Sequence, residues 1–326
     1  MKIGVMGTGN IANVVTPTLK KIPELELYSI ASRSKESALK FQAVHGLEKA
    51  YGSYEEFLSD PELEFVYVAV PHSHHYECMK MCIEHGKPAI CEKAFTVNAA
   101  QAREIQRLSA ERGVYVTEAM WTRYMPGRKL LDDVLESGII GEIKALTANL
   151  AYNVCHRERL SQPELAGGAL LDVGVYGINF ALMHFGGDIE RIESAMQSLP
   201  SGVDGMESIT IFYKNGRMAN ITAGITARSD RKGIFYGSRG YIVVENINNP
   251  QSITVYDEKD VVLQHITVPE QISGYEYEFI ESVRAIKEGR RESWSMPVSE
   301  SVRLMELMDG LRRSWGLEYP EEIEKI

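Results

Sequence analysis

The sequence has few cysteines, no basic run and no long apolar run, and each absence narrows the class of protein. The four cysteines show no spacing typical of a disulfide framework, which favours reduced thiols and a cytoplasmic location. The formal net charge of −10 comes from 35 basic and 45 acidic residues without a basic cluster, so we expect no nucleic-acid partner. No apolar stretch approaches the roughly 20 residues that span a bilayer, and Met1 leads directly into a strand pattern rather than a signal peptide. We therefore expect a protein that binds neither nucleic acid nor membrane.

The chain opens with a pattern typical of a dinucleotide-binding loop. Residues 1–12 read MKIGVMGTGNIA, in which a short apolar run passes through a glycine-rich turn into a helical pattern. A parallel strand that ends in such a turn presents the pyrophosphate of a dinucleotide to the N-terminus of the following helix. The pattern predicts a cofactor site formed by Gly7, Thr8, Gly9, Asn10, Ile11 and Ala12.

An acidic residue is missing where the second predicted strand ends. Sites for NAD usually place a carboxylate there to hold the ribose 2′-hydroxyl. This chain has Ser32, Arg33 and Ser34 instead, and their hydroxyl and guanidinium groups suit a 2′-phosphate. The sequence therefore favours NADP over NAD, with Ser32 and Arg33 as cofactor contacts. The alternative is that Arg33 only stacks on the adenine, in which case either cofactor binds.

The order of predicted strands and helices divides the chain into two domains. Six strands alternate with helices through the first 120 or so residues, which predicts an α/β, doubly wound, mostly parallel sheet in a dinucleotide-binding domain over 1–121. After Pro126 the strands follow one another with short turns, among them Lys214–Gly216 and Gly237–Gly240. This pattern predicts an α+β substrate domain over 122–326 with an open, mainly antiparallel sheet.

Two patterns place titratable side chains near the carboxyl edge of the predicted parallel sheet, where open α/β folds bind ligands. Glu92 and Lys93 end the fifth strand, and Asp172 and Tyr176 lie at a helix start. A tyrosine titrates near 10, but an ammonium about 4 Å away contributes about 4 kcal/mol at an effective dielectric constant of 20, or about three pKa units. Lys93 is therefore predicted to lower the pKa of Tyr176, so that the phenol can take a proton from a substrate hydroxyl. Asp172 either holds a substrate hydroxyl or caps its own helix.

One histidine and cysteine cluster contains metal-ligand residue types: His72, His74, His75, Cys78 and Cys82. The two cysteines are four residues apart on a predicted helix, close to its apolar stripe. This spacing favours buried thiols over zinc ligands, and we predict no metal.

A polar loop over residues 152–159 is a second candidate for substrate contact. It carries two arginines, and Arg157 is the one predicted to reach a substrate. The alternative is a solvated loop.

A family resemblance that covers essentially the whole chain rests on six motifs: GTGNIA (7–12), VAVPHSHHYE (68–77), CEKA (91–94), EAMWTRYMP (118–126), GGALLDVGVYGI (167–178) and GSRGYI (237–242). Together they resemble the glucose–fructose oxidoreductase / inositol dehydrogenase / rhizopine-catabolism (Gfo/Idh/MocA) oxidoreductase family. Within it they are most similar to the dimeric dihydrodiol dehydrogenase and NADP-dependent pyranose dehydrogenase branch.

The resemblance implies a Rossmann domain followed by an open sheet that stacks on its partner's sheet in a homodimer. It implies Lys93 and Tyr176 as the catalytic pair. Residues implied to line the cofactor site are Pro71, His72, His75 and Glu92. Residues implied to border the nicotinamide and substrate are Trp121 and Arg123.

The chain departs from the family after Lys93, where Ala94 stands in place of the usual proline. Alanine lacks the fixed φ and the tertiary amide of proline, so the position of the Lys93 ammonium is less constrained. We expect an NADP-preferring dehydrogenase that acts on a secondary hydroxyl of a sugar, cyclic polyol or trans-dihydrodiol, with Trp121 as an apolar wall for the ring. The alternatives are a catalytically silent redox sensor or regulatory subunit, and an imine or biliverdin-type reductase.

Overall fold

The computed structural model describes all 326 residues, which form two compact units. The first unit contains residues 1–124, 271–306 and 321–326, and the second contains 125–270 and 307–320. The sequence predicted one boundary, after residue 121. The structure instead returns two later segments, 271–306 and 321–326, to the first unit.

The first unit is built on a six-stranded parallel sheet with the order β3-β2-β1-β4-β5-β6. Its strands are β1 (Lys2–Met6), β2 (Glu26–Ala31), β3 (Lys49–Tyr51), β4 (Phe65–Val68), β5 (Ala89–Glu92) and β6 (Val116–Ala119). All four residues of β4 are buried, as expected for a strand covered on both faces of a parallel sheet. The predicted doubly wound domain is confirmed.

Helices flank this sheet, and local caps fix several of their ends. They are α1 (Asn10–Leu19), α2 (Lys35–His45), α3 (Tyr54–Leu58), α4 (His75–Glu84), α5 (Ala99–Arg112), α9 (Glu276–Lys287) and α11 (Glu321–Glu324). The Asn98 side chain accepts a hydrogen bond from Gln101 N at 2.9 Å and caps α5. Phe279 of α9 packs edge-on against Phe65 and Tyr67 of β4, with ring centroids 6.5 and 5.2 Å apart. This burial of aromatic surface explains why the late residues 271–306 belong to the first unit.

The second unit is built on an eight-stranded sheet with the order β14-β13-β12-β11-β7-β10-β9-β8. Its strands are β7 (Ile143–Ala151), β8 (Ile189–Ser198), β9 (Asp204–Tyr213), β10 (Met218–Gly224), β11 (Gly233–Gly237), β12 (Gly240–Val244), β13 (Ser252–Asp257) and β14 (Val262–Thr267). Only β7 and β10 pair in parallel, and every other neighbouring pair is antiparallel. The predicted open, mainly antiparallel sheet is confirmed.

The helices of the second unit are α6 (Pro126–Glu136), α7 (Glu158–Ser161) and α8 (Val175–Phe185). A further helix, α10 (Val298–Trp315), contributes residues 298–306 to the first unit and 307–315 to the second.

One segment, Pro163–Phe185, is long and apolar enough to cross a bilayer by length and composition. The expectation that no such stretch exists is therefore wrong. Within the fold, 94% of its apolar window is buried, and α8 packs against β7 and β10. Since the core helix of a globular domain passes the same test, burial accounts for the apolar composition.

Candidate active site

The loop between β1 and α1 has the geometry that a dinucleotide pyrophosphate requires. Gly7 has φ of 110°, and a Cβ there would lie 2.5 Å from the carbonyl oxygen of Ala69, so this position needs glycine. Gly9 is exposed, and a Cβ there would meet nothing nearer than 3.9 Å. The amide of Asn13 donates to the carbonyl oxygens of Thr8 and Gly9 at 3.2 and 2.9 Å, which closes the loop on itself.

The N-terminus of α1 fits an anionic ligand. Gly9 is its N-cap residue, and no side chain caps the first N–H groups, which leaves them to an anion such as a pyrophosphate. Asn10 is exposed and Ile11 is partly exposed, whereas Ala12 is fully buried. A small residue at this third position lets the helix pack closely on the strand.

The end of β2 supplies the groups predicted for a 2′-phosphate. Ser32 is buried, and its hydroxyl accepts a hydrogen bond from Ser34 N at 3.3 Å. The Arg33 guanidinium is exposed, and its Nη1 lies 3.0 Å from His74 Nε2. Burial lowers the pKa of His74 and the Arg33 charge lowers it further, so the neutral ring accepts the Arg33 N–H. The structure therefore adds His74 to the predicted pair.

The segment after β5 carries Lys93, and two histidines hold its backbone. His72 Nε2 lies 3.1 Å from the carbonyl oxygen of Lys93, and His75 Nδ1 lies 2.7 Å from that of Ala94. The other ring nitrogen of His75 lies 2.9 Å from the carbonyl oxygen of Val70. Burial lowers the pKa of His75 to about 4, although both carbonyls favour the protonated ring. The Lys93–Ala94 peptide bond is cis.

A buried carboxyl group holds the next residue of the same segment. Glu118 of β6 accepts a hydrogen bond from Phe95 N at 3.0 Å, and burial raises its pKa to about 7. The Ser301 hydroxyl and the charge of Arg123 oppose that rise. Three successive residues, 93 to 95, are thus held through their backbone by side chains of neighbouring elements. Lys93 itself is partly exposed.

The residue before this segment, Glu92, is buried at the end of β5. Its Oε1 accepts the hydroxyl of Tyr67 at 2.5 Å. Burial raises the pKa of Glu278 in α9 well above its usual range, and the Glu92 charge raises it further. Pro71 begins the 3₁₀ turn His72–His74. The cofactor roles of Pro71, His72, His75 and Glu92 stay predictions.

The residues predicted to border the substrate are fixed within the first unit. Trp121 stacks on Tyr275, with ring centroids 4.1 Å apart and an interplanar angle of 13°. Arg123 is buried, and its Nη2 donates to Glu300 Oε2 at 3.0 Å. This ion pair gives Arg123 a structural partner in addition to its predicted substrate contact.

Tyr176 is the second residue of α8 in the second unit and follows a π-helical turn over Leu170–Gly174. Asp172 lies in that turn and receives both terminal nitrogens of Arg159, at 3.1 and 3.5 Å. Such a two-pronged pair fixes the plane of a carboxylate. No side chain caps the start of this turn or of α8, so the structure does not support the alternative that Asp172 caps its helix. Arg157 is exposed at the start of α7.

The histidine and cysteine cluster forms no metal site. Cys78 and Cys82 are free and buried, which confirms the prediction of buried thiols. Burial raises the pKa of Cys78 to about 12 and that of Cys82 well above its usual range. No group of three or more His, Cys, Asp or Glu side chains is arranged to hold a metal ion.

Sequence reasoning missed the roles of His74, Glu118, Arg159 and Tyr275. Arg159 lies on the loop that the sequence singled out, two residues after the arginine that was preferred. Glu118 was noted only within the motif EAMWTRYMP. Tyr275 lies 154 positions after Trp121 and carries no local signal.

Comparison with known proteins agrees with these features over both units. Residues 1–120 match the oxidoreductase family with an NAD-binding Rossmann fold, and residues 129–243 match the Gfo/Idh/MocA C-terminal domain. The trans-1,2-dihydrobenzene-1,2-diol dehydrogenase of Mus musculus is 30% identical over 335 residues, covering 99% of each chain. The human enzyme of the same name is 30% identical over 332 residues, again with 99% of each chain covered.

Solved structures show the same architecture. A 3-ketoreductase from Actinomadura kijaniata, crystallised with NADP and TDP-benzene, matches with a TM-score of 0.89 and 25% identity, covering 96% of this chain and 97% of that one. An aldose-aldose oxidoreductase from Caulobacter crescentus, complexed with glycerol, matches with a TM-score of 0.87 over the same shares of the two chains. Its 15% identity supports the fold alone.

A Rossmann unit with an open helix N-terminus, in one chain with a mainly antiparallel sheet, is the architecture of the oxidoreductases that these comparisons match. The full-length similarity to named dehydrogenases and the match to the family model identify the family within this class. The chain belongs to the Gfo/Idh/MocA oxidoreductase family and is an NAD(P)-dependent enzyme.

Proposed function

We propose that the protein is an NADP-preferring dehydrogenase that oxidises a secondary hydroxyl of a sugar, cyclic polyol or trans-dihydrodiol, or reduces the corresponding carbonyl. One observation carries the proposal. Lys93 follows β5 and the glycine loop follows β1, so both leave the same carboxyl edge of one parallel sheet. Open α/β sheets bind their ligands at that edge.

Tyr176 acts as the acid/base in this proposal, and Lys93 assists it. The phenol takes the proton of the substrate hydroxyl during oxidation and returns it during reduction. The Lys93 ammonium stabilises the phenolate form. Asp172, oriented by Arg159, accepts a hydrogen bond from a substrate hydroxyl. A bound nicotinamide supplies the hydride acceptor or donor at C4.

The aromatic pair Trp121 and Tyr275 supports a ring-shaped substrate. The stack fixes the orientation of the indole, so that a flat apolar face is available at low entropic cost. The mammalian relatives are named for a trans-dihydrodiol of benzene. A cyclic diol or sugar whose one face is apolar fits this chemistry.

The preference for NADP rests on Arg33, Ser32 and His74. Arg33 is presented at the surface, and the neutral ring of His74 orients its guanidinium. A guanidinium matches the oxygens of a phosphate better than those of a ribose hydroxyl.

Replacement of Tyr176 by phenylalanine tests the mechanism. We expect Tyr176→Phe to lower kcat by at least about 100-fold, since a positioned acid/base contributes at least that factor, while the Kd for NADPH stays nearly constant. Tyr213→Phe is the matched control, because it removes another buried hydroxyl from the same unit. Initial rates with NADP+ and with NAD+ against aldoses, inositols and trans-dihydrodiols identify cofactor and substrate class. Full activity of Tyr176→Phe would remove the mechanism.

We also propose a homodimer formed through the sheet of the second unit. Along β7 and β11 the buried Leu146, Ala148 and Phe235 alternate with outward-facing residues. Tyr236 is 40% exposed on the outward face, where its hydroxyl lies 3.3 Å from that of Thr147. A broad sheet face of this kind favours a partner. Light scattering should give a dimer for the native chain and a monomer for Tyr236→Glu, whereas a native monomer at micromolar concentration would contradict the proposal.

A further inference from the structure

Two buried acids of β9 share one face of the strand because of a β-bulge. Gln197 of β8 pairs with Met206, but Ser198 pairs with Asp204, so Gly205 is an extra residue in β9. Since Gln197 and Ser198 point to opposite faces, their partners do too. Met206 lies on the outward face and Asp204 therefore points inward. Glu207 also points inward, as the next residue along the strand.

Asp204 holds the first residues of the turn that precedes Tyr176. It is fully buried, and its Oδ2 accepts a hydrogen bond from Leu170 N at 2.5 Å. The Ala169 N–H also lowers the pKa of this carboxyl group. These are the N–H groups that a helix start leaves without partners in its own backbone. Gly168 lies so close that a Cβ there would be 2.0 Å from Asp204 Oδ1.

Glu207 packs closely against the other end of the same turn. It is 3% exposed, and a Cβ on Gly174 would lie 2.8 Å from both of its carboxyl oxygens. Both carboxyl oxygens of Glu207 are buried, and the group that interacts with them is the Asp204 carboxyl. Burial and the Asp204 charge raise the pKa of Glu207 well above its usual range, so Glu207 carries the proton.

A third contact fixes the chain just before the turn. The Tyr319 hydroxyl donates to the carbonyl oxygen of Gly167 at 2.7 Å, and the Arg312 guanidinium lies 4.3 Å from the Tyr319 ring centroid. The Arg312 and Tyr319 side chains also act electrostatically on Asp204. The backbone from 167 to 174 is thus held at its start and closely packed at its end, two residues short of Tyr176.

We propose that Asp204 and Glu207 are positioning residues of Tyr176: the acid pair holds the turn that sets where the phenol stands. The inference rests on the proposed role of Tyr176. A misplacement of about 1 Å costs about 100-fold in rate, so loss of the pair should lower kcat strongly. Cofactor binding belongs to the first unit and should be unaffected.

The test compares replacements that remove each contact with replacements that retain it. Asp204→Ala removes the acceptor of the Leu170 N–H, and we expect kcat to fall at least 30-fold with the Kd for NADPH within twofold. Asp204→Asn retains an acceptor and should recover most of that loss. Glu207→Leu should resemble Asp204→Ala. Glu207→Gln supplies an amide donor to Asp204 and should keep kcat within about threefold.

Ile211→Val is the matched control for stability, because Ile211 is a fully buried apolar residue of the same strand, β9, and is not part of the acid pair. The proposal is overturned if Asp204→Ala keeps kcat within threefold, or if the control lowers kcat as much at an equal loss of Tm. A parallel loss of NADPH binding would also overturn it. If Asp204→Ala does not fold, the comparison of kcat between Glu207→Leu and Glu207→Gln tests the proposal instead. Equal kcat values for these two variants would overturn it.

Amide hydrogen exchange separates this inference from the proposed function. Exchange of the amides of residues 169–176 should accelerate in Asp204→Ala and return towards the native rate in Asp204→Asn. Unchanged protection of these amides from exchange in Asp204→Ala would contradict the positioning role, even if Tyr176→Phe is inactive. Full activity of Tyr176→Phe would instead remove the proposed mechanism, while the exchange data still show whether the pair holds the turn.

Discussion

The Lys93 segment of the first unit and the Tyr176 turn of the second solve the same problem with different chemistry. Both place a candidate catalytic side chain on backbone held by buried titratable groups. In the first unit His72, His75 and Glu118 contact the backbone of residues 93–95. In the second unit Asp204 accepts the Leu170 N–H, and Glu207 packs against Gly174.

The difference lies in the pH at which each group changes charge. Burial lowers the pKa of His75 to about 4 and raises that of Glu118 to about 7. Burial raises the pKa of Glu207 well above its usual range. The groups that hold the Lys93 segment therefore titrate between acid and neutral pH. Glu207, which lies beside the Tyr176 turn, stays protonated over the same range. The two candidate catalytic side chains, Lys93 and Tyr176, are thus expected to respond to different pH changes.

Removal of His75 is the strongest challenge to the comparison. His75→Ala leaves a buried carbonyl group without its donor and opens a cavity, so we expect the free energy of unfolding to fall by about 3 kcal/mol. We also expect kcat to fall by about 100-fold. Denaturant unfolding and steady-state kinetics measure the two effects. If the Kd for NADPH weakens as much as kcat falls, His75 acts through the cofactor, as its sequence motif implied, rather than through Lys93.

His85 supplies the control for that variant. It follows the same helix, α4, but contacts the Met81 carbonyl oxygen and the Glu55 side chain instead of the Lys93 segment. His85→Ala should leave kcat nearly unchanged.

The pH dependence of the same variant has a definite sign. The folded pKa of His75, about 4, lies below the ordinary value of 6.5, so the unfolded chain binds a proton first as the pH falls. Its contribution to stability is complete above pH 6.5 and is lost towards pH 4, by up to about 3 kcal/mol for 2.5 pKa units. The difference in unfolding free energy between the native chain and His75→Ala should shrink over that window.

Glu118, which holds the same segment, makes stability depend on pH in the opposite direction. Its folded pKa of about 7 lies above the ordinary value of 4.5, so its contribution to stability falls as the pH rises from 4.5 to 7, by up to about 3 kcal/mol. Glu118→Gln keeps an oxygen to accept the Phe95 N–H and removes the charge. The variant should therefore gain stability relative to the native chain over that window and gain no more above it.

Glu278→Gln is the control for this slope. The pKa of Glu278 is raised well above its usual range, so its replacement should change the relative stability from pH 4.5 to beyond pH 7 without levelling off there. Urea unfolding at pH 5, 7 and 8.5 distinguishes the two curves. A flat difference for Glu118→Gln would show that Glu118 is not held protonated by burial.

The fold could be predicted from the sequence because its signals are local. The alternation of strands and helices in the first unit and the succession of strands after Pro126 are both present, as predicted. The bulge at Gly205 in β9 had no such local signal.

The groups that support the site could not be predicted, because they come from distant parts of the chain. Asp204 contacts the turn 34 positions earlier, and Tyr275 stacks on a ring 154 positions earlier. Hydrogen-bond partners of this kind depend on which elements become neighbours in three dimensions. The sequence showed Lys93, Asp172 and Tyr176 as chemistry-bearing residues but gave no sign of what orients them.

Two arginines of one short loop give the finest comparison. Arg159 fixes Asp172, whereas Arg157, which the sequence favoured as a substrate contact, is exposed at the start of α7. The Arg159 side chain is 40% exposed, so its ion pair contributes modestly to stability. Its larger effect is on the plane of the Asp172 carboxylate. We expect Arg159→Leu to lower kcat/KM by about tenfold, or about 1.4 kcal/mol, and Arg157→Leu to change it less than twofold. If Arg157→Leu gives the larger loss, with the change confined to KM, the loop contacts substrate directly and the orienting role belongs to another residue.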